Sequence, residues 1–234
     1  MYRYETHLHT LPCSKCAKYS VGENLAFYKQ LGYDGVFITN HFLDGNTAVD
    51  KTLPYAERLR LYFDDYREAC SIGEALGIKI FLGVEMSYAG TDFLVYGLDE
   101  AWYAAHPEIA SMKKSEELPY LMEQGALVVQ AHPFREASYI DHIRLFPKGV
   151  QGIEVINACR KDHENRMAEL YAEVYGFVPL AGSDNHVAHR VKRLAGIETE
   201  TPIADEADFI RRVLAREVTL FVNDNPLLPP PEEE

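Results

Sequence analysis

The feature that most constrains this chain is a series of short apolar segments, most of them separated by helix-like stretches. The segments are four to six residues long and rich in Val, Ile, Leu, Phe or Tyr, which is typical of buried strands. Seven strands are predicted: Tyr2–His7, Gly35–Thr39, Lys79–Val84, Asp92–Gly97, Ala126–Gln130, Gly152–Ile156 and Val178–Ala181. The predicted helices are Val21–Leu31, Pro54–Leu76, Ser115–Gln124, Lys161–Tyr175 and Asp205–Arg216. This alternation predicts an α/β fold with a parallel sheet, closed as a β/α barrel or left open.

The length of 234 residues suits one sizeable domain, which we expect to span residues 1–224. Within it, Val218–Val222 is either a final strand or a rim segment. Residues 225–234 form a Pro-rich and then acidic tail, for which little regular structure is expected. No apolar run approaches the roughly 20 residues that span a bilayer, and the N-terminus does not resemble a signal peptide. A cytoplasmic location without a membrane partner is therefore expected.

The charge balance restricts the class of substrate. Lys and Arg number 23 against 36 Asp and Glu, which gives a net charge of −13. A basic surface for gripping long duplex nucleic acid is therefore missing. A short nucleotide held mainly by metal ions remains compatible with this charge, because bound cations would neutralise part of the negative excess.

Imidazole and carboxylate side chains recur where the predicted strands end. His7 and His9 are spaced i, i+2, so both rings can face one metal ion. The other candidates are His41 after the second strand, Glu85 after the third, Asp92 at the start of the fourth, His132 after the fifth, and Asp184 and His186 after the seventh. In a β/α barrel the loops at the carboxyl ends of the strands form the reactive face. Buried imidazoles and carboxylates need partners, and metal ions supply them, so the pattern predicts a metal-dependent hydrolase.

Three further residues have less certain roles in the sequence. Glu154 lies inside a buried strand, which favours a structural or outer-shell hydrogen bond over direct metal ligation. Cys13 and Cys16 form a single C-x-x-C, whereas structural zinc sites often use two such pairs. We expect reduced, structural cysteines, with a redox pair as the alternative and Cys16 close to the metal site as an outer-shell group.

The motifs H-L-H-T, I-T-N-H-F, G-V-E-M, A-H-P-F-R and G-S-D-N-H, in this order, resemble those of the PHP (polymerase and histidinol phosphatase) family. The resemblance covers residues 2 to about 196 and is closest to stand-alone bacterial members. It implies a distorted seven-stranded, TIM-barrel-like (β/α) barrel with two or three metal ions. Zn, Mn and Fe all suit the mixed ligands.

The resemblance also implies roles for individual residues. His7, His9, Glu85 and Asp184 would hold one metal, and Glu85 would bridge to a second that His132 also binds. Asp92 stands where many members have His and would be a second-metal ligand, while His41 and His186 would hold a third metal or contact substrate. Asn40 replaces the Asp of the family's T-D-H, and residues 11–16 lack the usual carboxylate or imidazole. Two metals are therefore expected, with a third only where Cys16 or water takes the missing position.

The expected activity is hydrolysis of a small phosphomonoester, as in histidinol phosphatases, or of a short nucleotide phosphoester. Two metal ions would lower the pKa of a bridging water, and the resulting hydroxide would attack phosphorus. Arg135 is the predicted cation for the phosphate, with Arg160 and His163 as further substrate contacts and His41 or His186 as the proton donor. The alternatives are an amidohydrolase, disfavoured because no strand-end motif contains Lys, and a non-catalytic metal-binding structural or regulatory module.

Overall fold

A nearly closed, barrel-like sheet of nine strands forms the centre of the computed structural model, which describes residues 1–228. The strands are β1 (Tyr2–Leu8), β2 (Gly35–Ile38), β3 (Lys79–Tyr88), β4 (Thr91–Tyr96), β5 (Leu127–Ala131), β6 (Gly152–Asn157), β7 (Val178–Gly182), β8 (Arg193–Thr199) and β9 (Thr219–Asp224). Their order is β7-β6-β5-β4-β3-β2-β1-β8-β9. The prediction of seven strands was wrong because it omitted β8 and left β9 undecided. Residues 229–234 of the predicted tail lie outside the described residues.

The helices are α1 (Val21–Gln30), α2 (Tyr55–Tyr62), α3 (Asp64–Leu76), α4 (Glu100–Ala105), α5 (Lys114–Glu123), α6 (Asp162–Tyr175) and α7 (Glu206–Leu214). The single helix predicted for Pro54–Leu76 is divided at Phe63, a fully buried residue that ends α2 and begins α3. Gly77 ends α3 in the left-handed conformation, with φ of 64°, as its position after the helix predicted. No helix within residues 1–228 is long and apolar enough to cross a membrane.

The sheet is mixed, which corrects the expectation of parallel strands throughout. Only two residues, Ala89 and Gly90, connect β3 to β4, and both have positive φ values, 48° and 84°. A connection this short makes an antiparallel hairpin, because a parallel crossover needs a dozen or more residues. Strands β4 and β5 are also antiparallel, as are β1 with β8 and β8 with β9.

The hairpin decides where Asp92 lies. Because β4 runs against β3 and β5, its first residues lie at the same edge as the last residues of those two strands. Asp92 is paired with Ser87 near the end of β3 and with Ala131 at the end of β5. A carboxylate at the start of a strand therefore joins the side chains that follow the ends of its neighbours.

Aromatic packing supports this edge of the sheet from within. Phe37 on β2 stacks on Phe81 on β3, with ring centroids 4.6 Å apart, and both rings are fully buried. The buried Tyr96 hydroxyl donates to the carbonyl oxygen of Thr6, one residue before His7, at 2.9 Å. Packing of this kind fixes the position of β1 and with it the position of the first candidate ligand.

Candidate metal centre

The predicted ligands converge at one edge of the barrel, where they line a cavity of about 610 Å³. The lining residues are Cys16, His41, Asp44, Gly45, Asn46, Glu85, Ser87, Gly90, Asp92, His132, Arg135, Tyr139, Arg160, Asp184 and His186. Residues 44–46 belong to the loop that follows His41, so part of that loop forms a wall of the cavity. Glu85 lies within β3 and not after it, because the strand continues to Tyr88.

Glu85 lies at the centre of the cluster. Its Oε1 is 3.3 Å from Nε2 of His7 and 3.3 Å from Nε2 of His132. Its Oε2 is 3.4 Å from Nε2 of His9 and 2.6 Å from Nδ1 of His41. One carboxylate thus faces four imidazoles from three different parts of the chain, the arrangement expected of a bridging ligand.

Asp184 lies close to two of the same rings, those of His7 and His9. Its Oδ1 is 3.5 Å from Nε2 of His7 and 3.4 Å from Nε2 of His9. Asp184 and His132 both have positive φ values, 54° and 27°. Residues other than glycine adopt this conformation at a cost, and such strain is concentrated at functional sites. The backbone is therefore held in an unfavourable conformation at two candidate ligands.

Asp92 lies beside the candidate ligand His132 and also contacts Arg135 and Ser87. Its Oδ2 is 3.9 Å from Nε2 of His132 and 2.9 Å from Nη2 of Arg135. Its Oδ1 accepts a hydrogen bond from the Ser87 hydroxyl at 2.7 Å. Asp92 thus connects the imidazole cluster to the arginine that lines the same cavity.

A second layer of buried polar groups orients the rings. Glu154 is fully buried, and its Oε1 accepts from Nδ1 of His7 at 2.8 Å, which turns Nε2 of that ring toward the cluster. Its Oε2 accepts from the backbone N–H of His132 at 3.0 Å and from Asn157 at 2.9 Å. Glu154 therefore makes the hydrogen bonds that its place in a buried strand predicted, and two of them join candidate ligands.

Ser14 and Asn40 orient His9 in the same way, and sequence reasoning missed this pair. The Ser14 hydroxyl donates to Oδ1 of Asn40 at 2.8 Å, so it accepts from Nδ1 of His9, 3.1 Å away. Nε2 of His9 is then the nitrogen that faces Glu85 and Asp184. Asn40 is therefore an outer-shell acceptor through a neutral amide and not through a carboxylate.

Burial and neighbouring charge perturb the pKa values of these groups in opposite directions. Burial alone would raise the pKa of Glu85, but the nearby rings of His41, His9 and His7 hold it well below its ordinary value. Burial disfavours a charged His41, but Glu85 beside it raises the pKa of that ring to about 11. Asp184 is likewise held ionised, chiefly by His7. The carboxylates are therefore available as anionic ligands.

The pKa of Asp92 shifts in the opposite direction from those of Glu85 and Asp184. Burial and the adjacent charge of Glu85 raise its pKa above the ordinary value, although His132 and Arg135 act in the opposite direction. The pKa of Arg135 is raised despite burial, mainly by Asp92. The Arg135 guanidinium therefore remains cationic, while its partner Asp92 lies next to the negative charge of Glu85.

The donor groups fit metal ions. Three sets of side chains have ligand atoms within 4.8 Å of one another: His7, Glu85 and His132; His7, His9 and Asp184; and His9, Cys16, His41 and His186. Within residues 1–228, Nδ1 of His41, Oε2 of Glu85 and Oδ2 of Asp92 are buried but make no hydrogen bond of acceptable geometry. Buried polar atoms without partners are costly, and a cation would satisfy them.

The predicted substrate contacts are divided between the cavity and the surface. Arg135 and Arg160 line the cavity. His163 does not: its side chain is 59% exposed on α6 and lies 3.1 Å from Glu136. The expectation that His163 contacts substrate is corrected, because the first turn of α6 directs this ring to solvent and to a surface carboxylate.

The two cysteines of the C-x-x-C lie in different surroundings. Cys13 is buried with its Sγ 3.9 Å from the Thr47 hydroxyl, and burial raises its pKa. Cys16 lines the cavity; burial opposes its ionisation, but hydrogen bonds with His186 and His41 lower the pKa of Cys16 to about 6. All four cysteines are free thiols. The spacing alone could not show that only the second thiol faces the imidazoles.

Comparisons with known proteins agree with this architecture. The family described as PHP-associated matches residues 162–218. A two-domain protein from Bacteroides vulgatus, containing a predicted PHP-like metal-dependent phosphoesterase, is similar with a TM-score of 0.67 and 15% identity; the similarity covers 94% of this chain. This chain spans only 64% of that protein. No curated protein matches the sequence.

Two further structures share the fold. A candidate metal-dependent phosphoesterase from Bifidobacterium adolescentis has a TM-score of 0.59 and 14% identity, covering 93% of this chain and 97% of its own. An amidohydrolase from Chromobacterium violaceum, with bound sulfate and no metal, has a TM-score of 0.57 and 15% identity over the same shares of the two chains. At these identities the likeness concerns the fold. The PHP-associated match covers residues 162–218, and the fold is shared with a protein that contains a predicted PHP-like phosphoesterase.

Proposed function

We propose that this protein is a metal-dependent phosphoesterase that hydrolyses a small phosphomonoester or a short nucleotide phosphoester. One observation carries the proposal: a cluster of imidazoles and carboxylates suited to metal ions shares its cavity with two arginines whose buried Nε groups have no hydrogen-bond partner within residues 1–228. Cations and guanidinium groups that line one cavity suit an anionic substrate.

The donor sets suggest how two metal ions would be held. His7, His9 and Asp184 form one set, and His7, Glu85 and His132 form another. A ring nitrogen binds one ion, so Nε2 of His7 belongs to one set at a time, and Glu85 is the group that reaches both. Bound there, metal ions would act as Lewis acids and make hydroxide available near neutral pH.

Arg135 and Arg160 are proposed to hold the phosphate. The Arg135 side chain is only 16% exposed, and its Nη2 is fixed by Asp92 and by the carbonyl oxygen of Gly90, at 2.9 and 3.3 Å. Its Nε is left free for a phosphate oxygen. A guanidinium that is already oriented loses little entropy when it binds an anion, and it offsets charge that builds up on the phosphate during attack.

His186 is proposed as the group that delivers a proton to the leaving oxygen when it is not bound to metal. Its side chain is 25% exposed, more than those of His7, His9, His41 and His132. Nδ1 lies 2.7 Å from the carbonyl oxygen of Asp184 and must donate to it, because a carbonyl oxygen only accepts. Nε2 is therefore the nitrogen left to exchange a proton or bind a metal.

An amidohydrolase is the competing function, since one protein of that kind shares the fold. Amidohydrolase barrels commonly place a lysine at a strand end, and no lysine is among the described residues that line this cavity. Lys114, which is buried, is engaged by Asp44 and Glu117 at 2.7 and 2.8 Å. The donor set and the free arginine Nε groups therefore favour phosphoester over amide hydrolysis.

A substrate panel tests the proposal. Purified protein loaded with Mn²⁺ or Zn²⁺ is assayed with phosphomonoesters, short nucleotides, amides and lactones. We expect phosphate release that is abolished by a chelator and restored by metal, with little turnover of amides or lactones. Hydrolysis of an amide or lactone without phosphoester hydrolysis would favour the amidohydrolase. Metal binding without turnover of any class would favour a structural or regulatory module.

A further inference from the structure

Cys16 lies in a group of metal-ligating side chains that differs from the other two sets in its chemistry. The ligand atoms of Cys16, His9, His41 and His186 all lie within 4.8 Å of one another. The two sets assigned above combine imidazoles with carboxylates. This third set has three imidazoles and one thiol and contains no carboxylate.

The loop that carries Cys16 is fixed on both sides of it. The backbone N–H of Lys15 donates to the carbonyl oxygen of Asn46 at 3.0 Å, and that of Lys18 donates to the carbonyl oxygen of His186 at 2.8 Å. The second bond ties the loop directly to one of the candidate ligands. The position of the thiol is therefore determined by the fold and not by the conformation of a free surface loop.

The rings around Cys16 are oriented by other groups. Nδ1 of His186 donates to the Asp184 carbonyl oxygen, which leaves Nε2 as the lone-pair nitrogen. Nδ1 of His41 lies 2.6 Å from Oε2 of Glu85. Pre-oriented imidazoles beside a thiol form an N/S donor set of the kind that binds zinc.

We propose that Cys16 is a thiolate ligand of the third metal that His41 and His186 would hold, and that this soft ligand makes the centre selective for zinc over manganese or magnesium. Thiolates select soft metals, whereas carboxylates suit Mg²⁺ and Mn²⁺. The inference rests on the proposed metal dependence, but it does not depend on which bond the enzyme hydrolyses.

His9 determines the fourth position of this centre. Its Nε2 is also 3.4 Å from Oδ1 of Asp184, within the second donor set. Because one nitrogen binds one ion, a His9 committed to Asp184 leaves the centre of Cys16 with three protein ligands. Three protein ligands and an open position are typical of catalytic zinc, so this centre could take a water or a substrate oxygen as its fourth ligand.

A redox function of the C-x-x-C is the competing interpretation of Cys16. A redox pair needs both thiols to face each other or a shared partner. Cys13 is buried against Thr47 and belongs to none of the donor sets, whereas Cys16 faces the rings. The surroundings of the two cysteines favour metal ligation by the second one alone.

Cobalt spectroscopy tests the thiolate bond without measuring turnover. Metal-free full-length protein is titrated with Co²⁺, a spectroscopic substitute for Zn²⁺, and near-ultraviolet absorption reports thiolate-to-cobalt charge transfer. We expect the band in wild type and in Cys70→Ser, a control at an exposed cysteine on α3, and its loss in Cys16→Ser. A saturated wild type without the band, or a Cys16→Ser variant that keeps it, would overturn the proposal.

Metal competition tests the selectivity. Loss of an outer-shell partner alone weakens metal binding by about 10-fold to 100-fold, so loss of a direct ligand should weaken Zn²⁺ binding at this centre at least as much. Cys16→Asp, which substitutes a hard ligand, should lower the ratio of Zn²⁺ affinity to Mn²⁺ affinity, while thermal unfolding shows that the variant is folded. An unchanged Zn²⁺-to-Mn²⁺ ratio in this variant would contradict the selectivity. Phosphoester turnover by the wild type is a separate readout, so failure of either claim is recognised independently.

Discussion

Glu154→Gln tests whether hydrogen bonds to the candidate ligands matter for metal binding, because it changes a residue that orients them and leaves every candidate ligand in place. Glu154 is fully buried and touches no solvent, and its two oxygens accept from His7, from the backbone of His132 and from Asn157. Glutamine has nearly the same shape but replaces one acceptor oxygen with an NH₂ donor. That donor must face an N–H group on one side or the other, so at least one of the three hydrogen bonds is lost.

The expected magnitude follows from these contacts. Loss of an outer-shell carboxylate typically reduces metal affinity or activity by about 10-fold to 100-fold. A change of that size equals about 1.4–2.8 kcal/mol in binding free energy. A buried donor left without a partner also lowers the free energy of unfolding by about 1–3 kcal/mol. Metal affinity and stability should therefore both decrease, although no direct ligand has been removed.

Chelator competition measures the first effect, and urea unfolding of the metal-free protein measures the second. Glu198→Gln is the matched control, because it makes the same chemical change at a partly exposed ion pair with Arg3, away from the cavity. We expect wild-type metal affinity in the control. Unchanged metal affinity in Glu154→Gln would refute the argument that the hydrogen bond to His7 orients its ring for a metal.

Three further predictions follow from single contacts. Arg135→Ala should raise KM for phosphoesters by about 10-fold or more, because one charged hydrogen bond to the substrate is lost. Steady-state kinetics measures KM, and elemental analysis should show unchanged metal content. An unchanged KM would mean that Arg135 does not bind substrate. Gly182→Ala should lower the free energy of unfolding in urea by about 1–3 kcal/mol, because the added Cβ would lie 2.5 Å from Cβ of His7. Gly22→Ala is the control: the nearest atom to its added Cβ is 3.5 Å away, so the free energy of unfolding should not fall in this way. Burial raises the pKa of Asp65, so the native state binds its proton more tightly than the unfolded state. The stability advantage of wild type over Asp65→Asn should therefore fall as the pH rises above about 4, where the carboxyl ionises first in the unfolded state; an advantage that grows with pH would contradict this.

The sequence predicted which imidazole and carboxylate side chains lie together better than it predicted the sheet. Ligand positions follow from strand ends, and strand ends are marked by a change from apolar to polar residues that is visible in one sequence. Strand direction depends on the connection between strands. The pair Ala89-Gly90 between two apolar runs was the available signal for a hairpin, and it explains why Asp92 reaches the site from the start of a strand.

Other features depend on contacts between distant residues. Strand β8 was missed because its residues, Arg193–Thr199, include Gly and two charged residues, and the strand is stabilised by pairing with β1 and β9. The proximity of Cys16 to His186 depends on a backbone hydrogen bond across 168 positions. No local pattern in residues 11–18 encodes that contact, so the sequence left open whether Cys16 or water takes the position of the missing ligand.

Phosphate release by wild type and by His132→Ala, measured beside their metal content, tests the central claim most directly. His132 lies 3.3 Å from Glu85 and belongs to the donor set of the second metal. The account predicts that the variant stays folded by thermal unfolding, loses one metal equivalent and loses most of its turnover. A folded His132→Ala variant that hydrolyses phosphoesters at the wild-type rate would contradict it.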